Sequence, residues 1–240
     1  MSKSLIFLFT ILISLISCQI SDDSKDKNGP NIIFIFADDL GYGDLSSYGA
    51  DDISTPNIDF IADNGIQFTD FYSVSSVCTP SRAGMLTGRL PQRFGLNGVL
   101  FPESHTGMPS SEYTIAELLR DNGYNTGIVG KWHLGHKHEY LPLQQGFDSF
   151  FGIPYSNDMA STVYFRDNDV IDHFPNQSLM TKKLTEESIK FIESNLENKF
   201  YLYLAHPMPH VPIYASEDFI GSSERGLYGD VIQELDWSVG

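Results

Sequence analysis

The chain has 240 residues, 41% of them hydrophobic, which is enough for one large globular domain or two small ones. A formal net charge of -16 argues against a nucleic-acid backbone as partner, because that needs clustered Lys and Arg, yet leaves room for an anionic substrate at a local basic site. The remaining acidity reads as a solvated surface.

The N-terminus carries an export signal. Lys3 precedes an apolar run from Leu5 to Ile16, too short for a stable bilayer span but suited to a secretory h-region, so residues 1–17 read as a signal peptide. The run ends Leu15-Ile16-Ser17-Cys18, similar to a bacterial lipobox, in which Cys18 would be acylated and anchor the chain to a membrane. An ordinary cleaved signal peptide is the alternative. Residues 18–30 form a polar tether. The expected location is therefore outside the cytoplasm: periplasmic, or an outer-membrane or cell-surface lipoprotein of a bacterium. Once Cys18 is lipidated or removed, Cys78 is the remaining thiol in an oxidising compartment, and that calls for a reason.

Asn31-Ile32-Ile33-Phe34-Ile35-Phe36 is a continuous apolar, β-rich run, read as a central strand covered on both faces. It feeds directly into Asp38-Asp39, and ligands of open α/β sheets bind beyond the carboxyl ends of strands. Two carboxylates there suit a hard divalent cation; Asp51-Asp52 is an equal doublet without a strand before it. Thr55 to Gly65 reads as a short helix with Thr as cap, Pro at the first turn and Gly past the end. Ile66 to Tyr72 alternates like a strand.

Next comes Cys78-Thr79-Pro80-Ser81-Arg82-Ala83-Gly84-Met85-Leu86-Thr87-Gly88, the parts of a loop that becomes a helix. Cys78 is expected just before the helix N-terminus, where free N–H groups and the dipole favour negative charge, and Arg82 points back toward the same spot one turn on. The helix is expected to run through Met85 to Phe94 and leave at Pro91. The alternative is a buried cysteine capping a core helix.

Thr114-Ile115-Ala116-Glu117 is a capping box opening a helix that runs to Gly123. The strand through Ile128 and Val129 delivers Lys131 and His133 to the same crevice, with Lys131 as an anion clamp. His133, His136 and His138 also permit a transition-metal reading. Gln145 to Gly152 reads as a turn and short strand, and Ile153 to Met180 as irregular. Leu184, Ile189, Ile192 and Leu196 mark an amphipathic helix, Phe200 to Ala205 a buried strand, and Tyr228 to Val239 a final helix. His210, in a proline-stiffened loop after the last strand, suits proton transfer near neutrality, or is an incidental surface histidine. Alternating strands and helices indicate an α/β domain around a mostly parallel sheet flanked by helices.

Cys78-x-Pro80-Ser81-Arg82 with Leu86-Thr87-Gly88, and Gly127-Ile128-Val129-Gly130-Lys131-Trp132-His133, resemble the signatures of the type I sulfatases. With the islands at Asp38 and His210 in the same order, the resemblance covers residues 31–240, as the N-terminal part of a sulfatase catalytic domain of alkaline-phosphatase-like superfold. It implies that Cys78 is converted to formylglycine by a formylglycine-generating enzyme and serves as nucleophile and metal ligand. It further implies that Asp38 and Asp39 bind calcium, that Arg82 and Lys131 hold the hydrated aldehyde and the sulfate, and that His133 contacts the aldehyde hydrate. By the same resemblance His210 would stand near the scissile oxygen as substrate ligand and acid. The implied reaction is hydrolysis of aryl or carbohydrate sulfate monoesters. One hydroxyl of the hydrated aldehyde attacks sulfur, and the other then expels sulfate and regenerates the aldehyde.

Sulfatases are usually about twice this length, and an Asp-Asn-Gly motif in their second half supplies further metal ligands. Asp63-Asn64-Gly65 and Asp121-Asn122-Gly123 both fall at helix ends here and are not assigned that role. Calcium takes six or more oxygens, so the expectation is a truncated, inactive and marginally folded segment. The competing functions are a phosphatase or phosphonate hydrolase of the same superfold, or a non-catalytic binder of sulfated glycans.

Overall fold

A computed structural model of the chain describes residues 29–159, 162–173 and 175–240. The expected leader, Cys18 and all but the end of the tether lie outside the described residues. The elements are β1 (Ile32–Ala37), α1 (Pro56–Asn64), α2 (Cys78–Thr87), α3 (Ile115–Asp121), β2 (Asn125–Lys131), β3 (Ser149–Ile153), β4 (Tyr164–Arg166), β5 (Asp169–Asp172), α4 (Met180–Ser194), β6 (Phe200–His206) and α5 (Leu227–Val239).

The strands form one six-stranded sheet in the order β1-β6-β2-β3-β4-β5. β1, β6, β2 and β3 run parallel, and β4 and β5 are antiparallel additions. This is the mostly parallel α/β sheet that the alternation of strands and helices predicts. Among the described residues no helix is long and apolar enough to cross a membrane.

Each strand of the parallel part feeds a different layer with alternate side chains. Tyr201, Tyr203 and Ala205 of β6 join Ala83, Leu86, Ala116, Ile128 and Phe150 in one core beneath α2 and α3. Phe200, Leu202 and Leu204 pack on the opposite face with Val129, Phe151, Met180 and Leu184, beneath α4. A third cluster joins Ala50, Ile53, Met208 and Ala215 to Val231, Ile232 and Leu235 of α5.

β1 departs from expectation. It lies at the rim of the sheet, and only the face bearing Phe34 and Phe36 is packed, while Ile33 is 48% and Ile35 37% exposed. Its unbroken apolar run suggests two covered faces, but strand order decides burial. The expected strand at Ile66 to Tyr72 does not form either. The hydroxyls of Tyr42 and Tyr48 take up the carbonyls of Phe71 and Phe68, and Ile66, Phe68 and Phe71 find no layer to enter. The helix begun at Cys78 stops at Thr87, because Gly88 turns left-handed at φ +63°; residues Pro91–Phe94 form a separate 3-10 turn. The segment read as irregular contains the β4–β5 hairpin.

The capping box forms as predicted: the Thr114 hydroxyl accepts from Glu117 N at 3.1 Å, and Thr114 N donates to the Glu117 carboxylate at 2.7 Å. α1 is capped from far away. Asp236 of α5 accepts from the backbone N–H groups of Asn57 (3.0 Å) and Ile58 (2.8 Å).

Candidate active site

β1, β2 and β6 end side by side, so Asp38, Lys131 and the loop bearing His210 emerge at one edge of the sheet. Close approach of β2 to β6 depends on Gly130, whose φ of +122° favours glycine and whose Cβ would stand 2.0 Å from the Ala205 carbonyl oxygen. Across this edge α2 presents its first turn. Cys78 is the first helical residue, Pro80 sits where no N–H is required, and Val77 provides no side-chain cap.

Lys131 is fully buried, and its ammonium has three partners: the Asp38 carboxylate, the Ser156 hydroxyl at 2.9 Å and the Cys78 sulfur at 3.3 Å. Arg82, also fully buried, pairs with the other Asp38 oxygen at 3.2 Å and donates to the Lys131 carbonyl at 2.8 Å. Its guanidinium lies over the Phe36 ring, 5.4 Å from the centroid. Burial alone would push the Asp38 carboxyl up, but the charges of Arg82 and Lys131 outweigh it and hold the group down at about 2. The result is a fixed carboxylate between two fixed cations.

His133 takes φ +58° just beyond β2. Its Nε2 lies 2.8 Å from the Leu100 carbonyl, which can only accept, so Nε2 carries the proton and the buried Nδ1 is left as a lone pair without a partner among the described residues. Burial, helped by Lys131, lowers its pKa to about 3 and keeps the ring neutral. Thr79 locks this corner, donating to the His133 carbonyl at 2.9 Å and accepting from Leu100 N at 3.1 Å.

His210 reaches the site from the opposite side. Ligand atoms of Asp38, Cys78 and His210 lie within 4.8 Å of one another. Hydrogen bonding to the Cys78 side chain raises the His210 pKa against the opposing effect of burial. Asp39 is placed differently from Asp38. It adopts φ +66°, its side chain is 59% exposed, and its carboxylate lies 4.0 Å from His210 Nε2. The other candidates fall away from this cluster: Asp52 is held by Arg225 at 2.5 Å, and His136 pairs with Tyr155. A cavity of about 280 Å³ opens over Asp38, Asp39 and Cys78, walled by Phe71 and the serines that precede the cysteine.

The donors present fit part of a sphere for a hard divalent cation. The carboxylates of Asp38 and Asp39 are the right chemistry, and the lysine and arginine already on Asp38 show how strongly that carboxylate draws positive charge. Two participants were not visible in the sequence. Ser156 orients Lys131, and the Tyr203 hydroxyl accepts from Arg82 at 3.3 Å. Ser156 follows the end of β3, so the strand-end rule that singled out Asp38 could have found it.

A cysteine at a helix N-terminus, with a buried arginine one turn on and a buried lysine at the carboxyl end of a parallel strand beside it, is an arrangement suited to oxyanions. The sulfatase family model matches residues 30–240, and the chain belongs to the sulfatase family. It is 40% identical over 237 residues to rat (Rattus norvegicus) N-acetylgalactosamine-6-sulfatase, covering 88% of this chain and 45% of that protein. Bovine (Bos taurus) arylsulfatase A is 43% identical over 239 residues, with 88% and 47% covered. A solved structure described for the metabolism of multiple glycosaminoglycans by Bacteroides thetaiotaomicron superposes with TM-score 0.83 at 33% identity, over 88% of this chain and 57% of that one. The chain thus spans about half the length of the curated relatives it matches.

Proposed function

We propose that this chain carries the nucleophile half of a sulfuric ester hydrolase acting on aryl or carbohydrate sulfate monoesters, with Cys78 converted to formylglycine. The observation that carries this reading is the convergence of buried Lys131 and Arg82 on Asp38 beside the first turn of α2, with Lys131 Nζ 3.3 Å from the Cys78 sulfur. A sulfate monoester repels nucleophiles, so its oxygens must meet fixed positive charge before sulfur can be attacked. Lys131 supplies that charge from a buried position, braced by Asp38 and Ser156. Arg82 holds Asp38 and so keeps the brace in place.

A hydrated aldehyde at residue 78 supplies two hydroxyls on one carbon, one to take the sulfuryl group and one to eject it. A divalent cation, calcium in this proposal, would be held by Asp38, Asp39 and residue 78 and would add positive charge against the sulfate. The neutral His133 ring offers its Nδ1 lone pair as a hydrogen-bond acceptor to a hydroxyl. His210, its ring within 4.8 Å of the ligand atoms of Asp38 and residue 78, is placed to hand a proton to the departing alcohol. Export, lipid attachment at Cys18 and maturation by a formylglycine-generating enzyme belong to the same proposal, supported by the leader pattern and the Cys78 motif.

The test is mass spectrometry of the Cys78 peptide from protein exported alongside the maturation enzyme, followed by turnover of matched aryl sulfate and aryl phosphate esters. Aldehyde at residue 78 with preference for sulfate supports the reading. A retained thiol, or preference for phosphate, overturns it.

A further inference from the structure

The loop after β6 that carries His210 is fastened by Asn157, from the loop beyond β3. His210 Nδ1 lies 2.6 Å from the Val211 carbonyl oxygen. A carbonyl only accepts, so Nδ1 carries the proton and Nε2 is the nitrogen turned toward the site, 4.0 Å from Asp39. This contact closes only while the Val211 carbonyl faces back toward the ring of the preceding residue.

The carbonyls on either side of Val211 share one donor. Asn157 Nδ2 lies 3.0 Å from the Pro212 carbonyl oxygen and, at the long end of the range, 3.5 Å from that of His210. Gln177 fixes the amide by a reciprocal pair, Gln177 Nε2 donating to the Asn157 carbonyl at 2.9 Å and Gln177 Oε1 accepting from Asn157 Nδ2 at 3.2 Å. Turned over, the Asn157 amide would point its oxygen at these acceptors. Asn157 is buried, and its Oδ1 has no partner among the described residues. An unfilled buried acceptor is a cost, so packing alone does not account for an amide here, whereas its donors do.

We propose that Asn157 is a positioning residue for His210: by pinning the carbonyls flanking Val211 it holds the imidazole in its Nδ1–H tautomer with Nε2 directed at residue 78. The geometry stands by itself; its catalytic consequence rests on the reading of His210 as the acid. In that role the proton passes from Nε2 to the leaving oxygen as the ester bond breaks, and the neutral ring keeps its Nδ1 proton. Ser156 and Asn157 are adjacent, so one dipeptide beyond β3 orients both the anion clamp Lys131 and the acid His210.

The experiment is nitrogen-detected NMR of the histidine side chains at alkaline pH, where the neutral ring dominates, on the wild-type chain and on Asn157→Leu. Wild-type His210 is expected as a single Nδ1–H tautomer, and Asn157→Leu should shift it to a mixture while His133 keeps its Nε2–H pattern as the internal sign of an intact fold. An unchanged Nδ1–H pattern for His210 in that variant overturns the proposal. Should the variant lose the His133 pattern as well, hydrogen exchange of the Asn157 amide in the unaltered protein decides, with slow exchange expected and fast exchange contradicting the clamp. In matured enzyme kcat should fall about tenfold or more with KM little changed. A retained thiol at residue 78, or a preference of matured wild type for phosphate over sulfate, would refute the hydrolase reading alone, because the tautomer measurement does not depend on turnover.

Discussion

Lys131 Nζ lies 3.3 Å from Cys78 Sγ, and this contact joins the last residue of β2 to the first residue of α2. The lysine cannot move away, because it is fully buried and Asp38 and Ser156 hold it from two other directions. Positive charge is thus in place before any substrate arrives.

Replacing Lys131 should separate chemistry from maturation. Lys131→Met is expected to lower kcat/KM of matured enzyme by about 10² to 10³, while mass spectrometry shows residue 78 converted as before. It also leaves Asp38 with Arg82 alone, and breaking a buried pair costs about 3 kcal/mol, readable by denaturant titration. Ser156→Ala removes one charge-assisted hydrogen bond and should cost about tenfold in turnover.

His206 predicts an acid limit to stability. The ring is fully buried, its Nε2 3.1 Å from the Ser238 hydroxyl, and burial lowers its pKa from 6.5 to about 4. Between those values the unfolded chain binds the proton and the folded chain does not, so stability rises with pH across that window. The contribution is complete above about 6.5 and is lost as pH falls toward about 4, amounting to about 3 kcal/mol. Denaturant titrations of His206→Gln at several pH values should show a slope lower by about 1.4 kcal/mol per pH unit in that window.

Asp236 predicts a long-range uncapping. Asp236→Ala strips the partner from the Asn57 and Ile58 amides and should cost about 1 to 2 kcal/mol in urea titration. Faster hydrogen exchange should appear first at the N-terminus of α1, not in α5.

Gly130 predicts a steric failure beside the site. An added methyl would stand 2.0 Å from the Ala205 carbonyl oxygen, and backbone cannot yield as a flexible side chain can. Gly130→Ala should destabilise by about 3 kcal/mol or more and shift the thermal midpoint down.

Local chemistry made most of the fold legible. The apolar runs of β2 and β6, the Thr114 capping box and the strand-end positions of Asp38 and Lys131 follow from patterns of a few residues. Two kinds of feature were not legible. Strand order is a property of the whole sheet, so the run in β1 could not reveal that it lies at the rim, nor could the alternation of Ile66 to Tyr72 show that no neighbour would pair with it. Partners far apart in sequence were equally hidden. Nothing near Asn57 announces Asp236, and nothing near His210 announces Asn157. In the site, residue types and spacing identified Cys78, Arg82, Lys131, His133 and His210 as candidates. The contrast between buried Asp38 and exposed Asp39 needed coordinates, because adjacent residues diverge there through one left-handed φ.

The bare rim strand also bears on how the protein can be handled. Ile33 and Ile35 lie on a border where, among the described residues, no strand pairs with the outer side of β1, the arrangement by which separate molecules stitch together into aggregates. Concentrated preparations should therefore self-associate along β1, and a lysine at position 35 is the change to try first for keeping them dispersed.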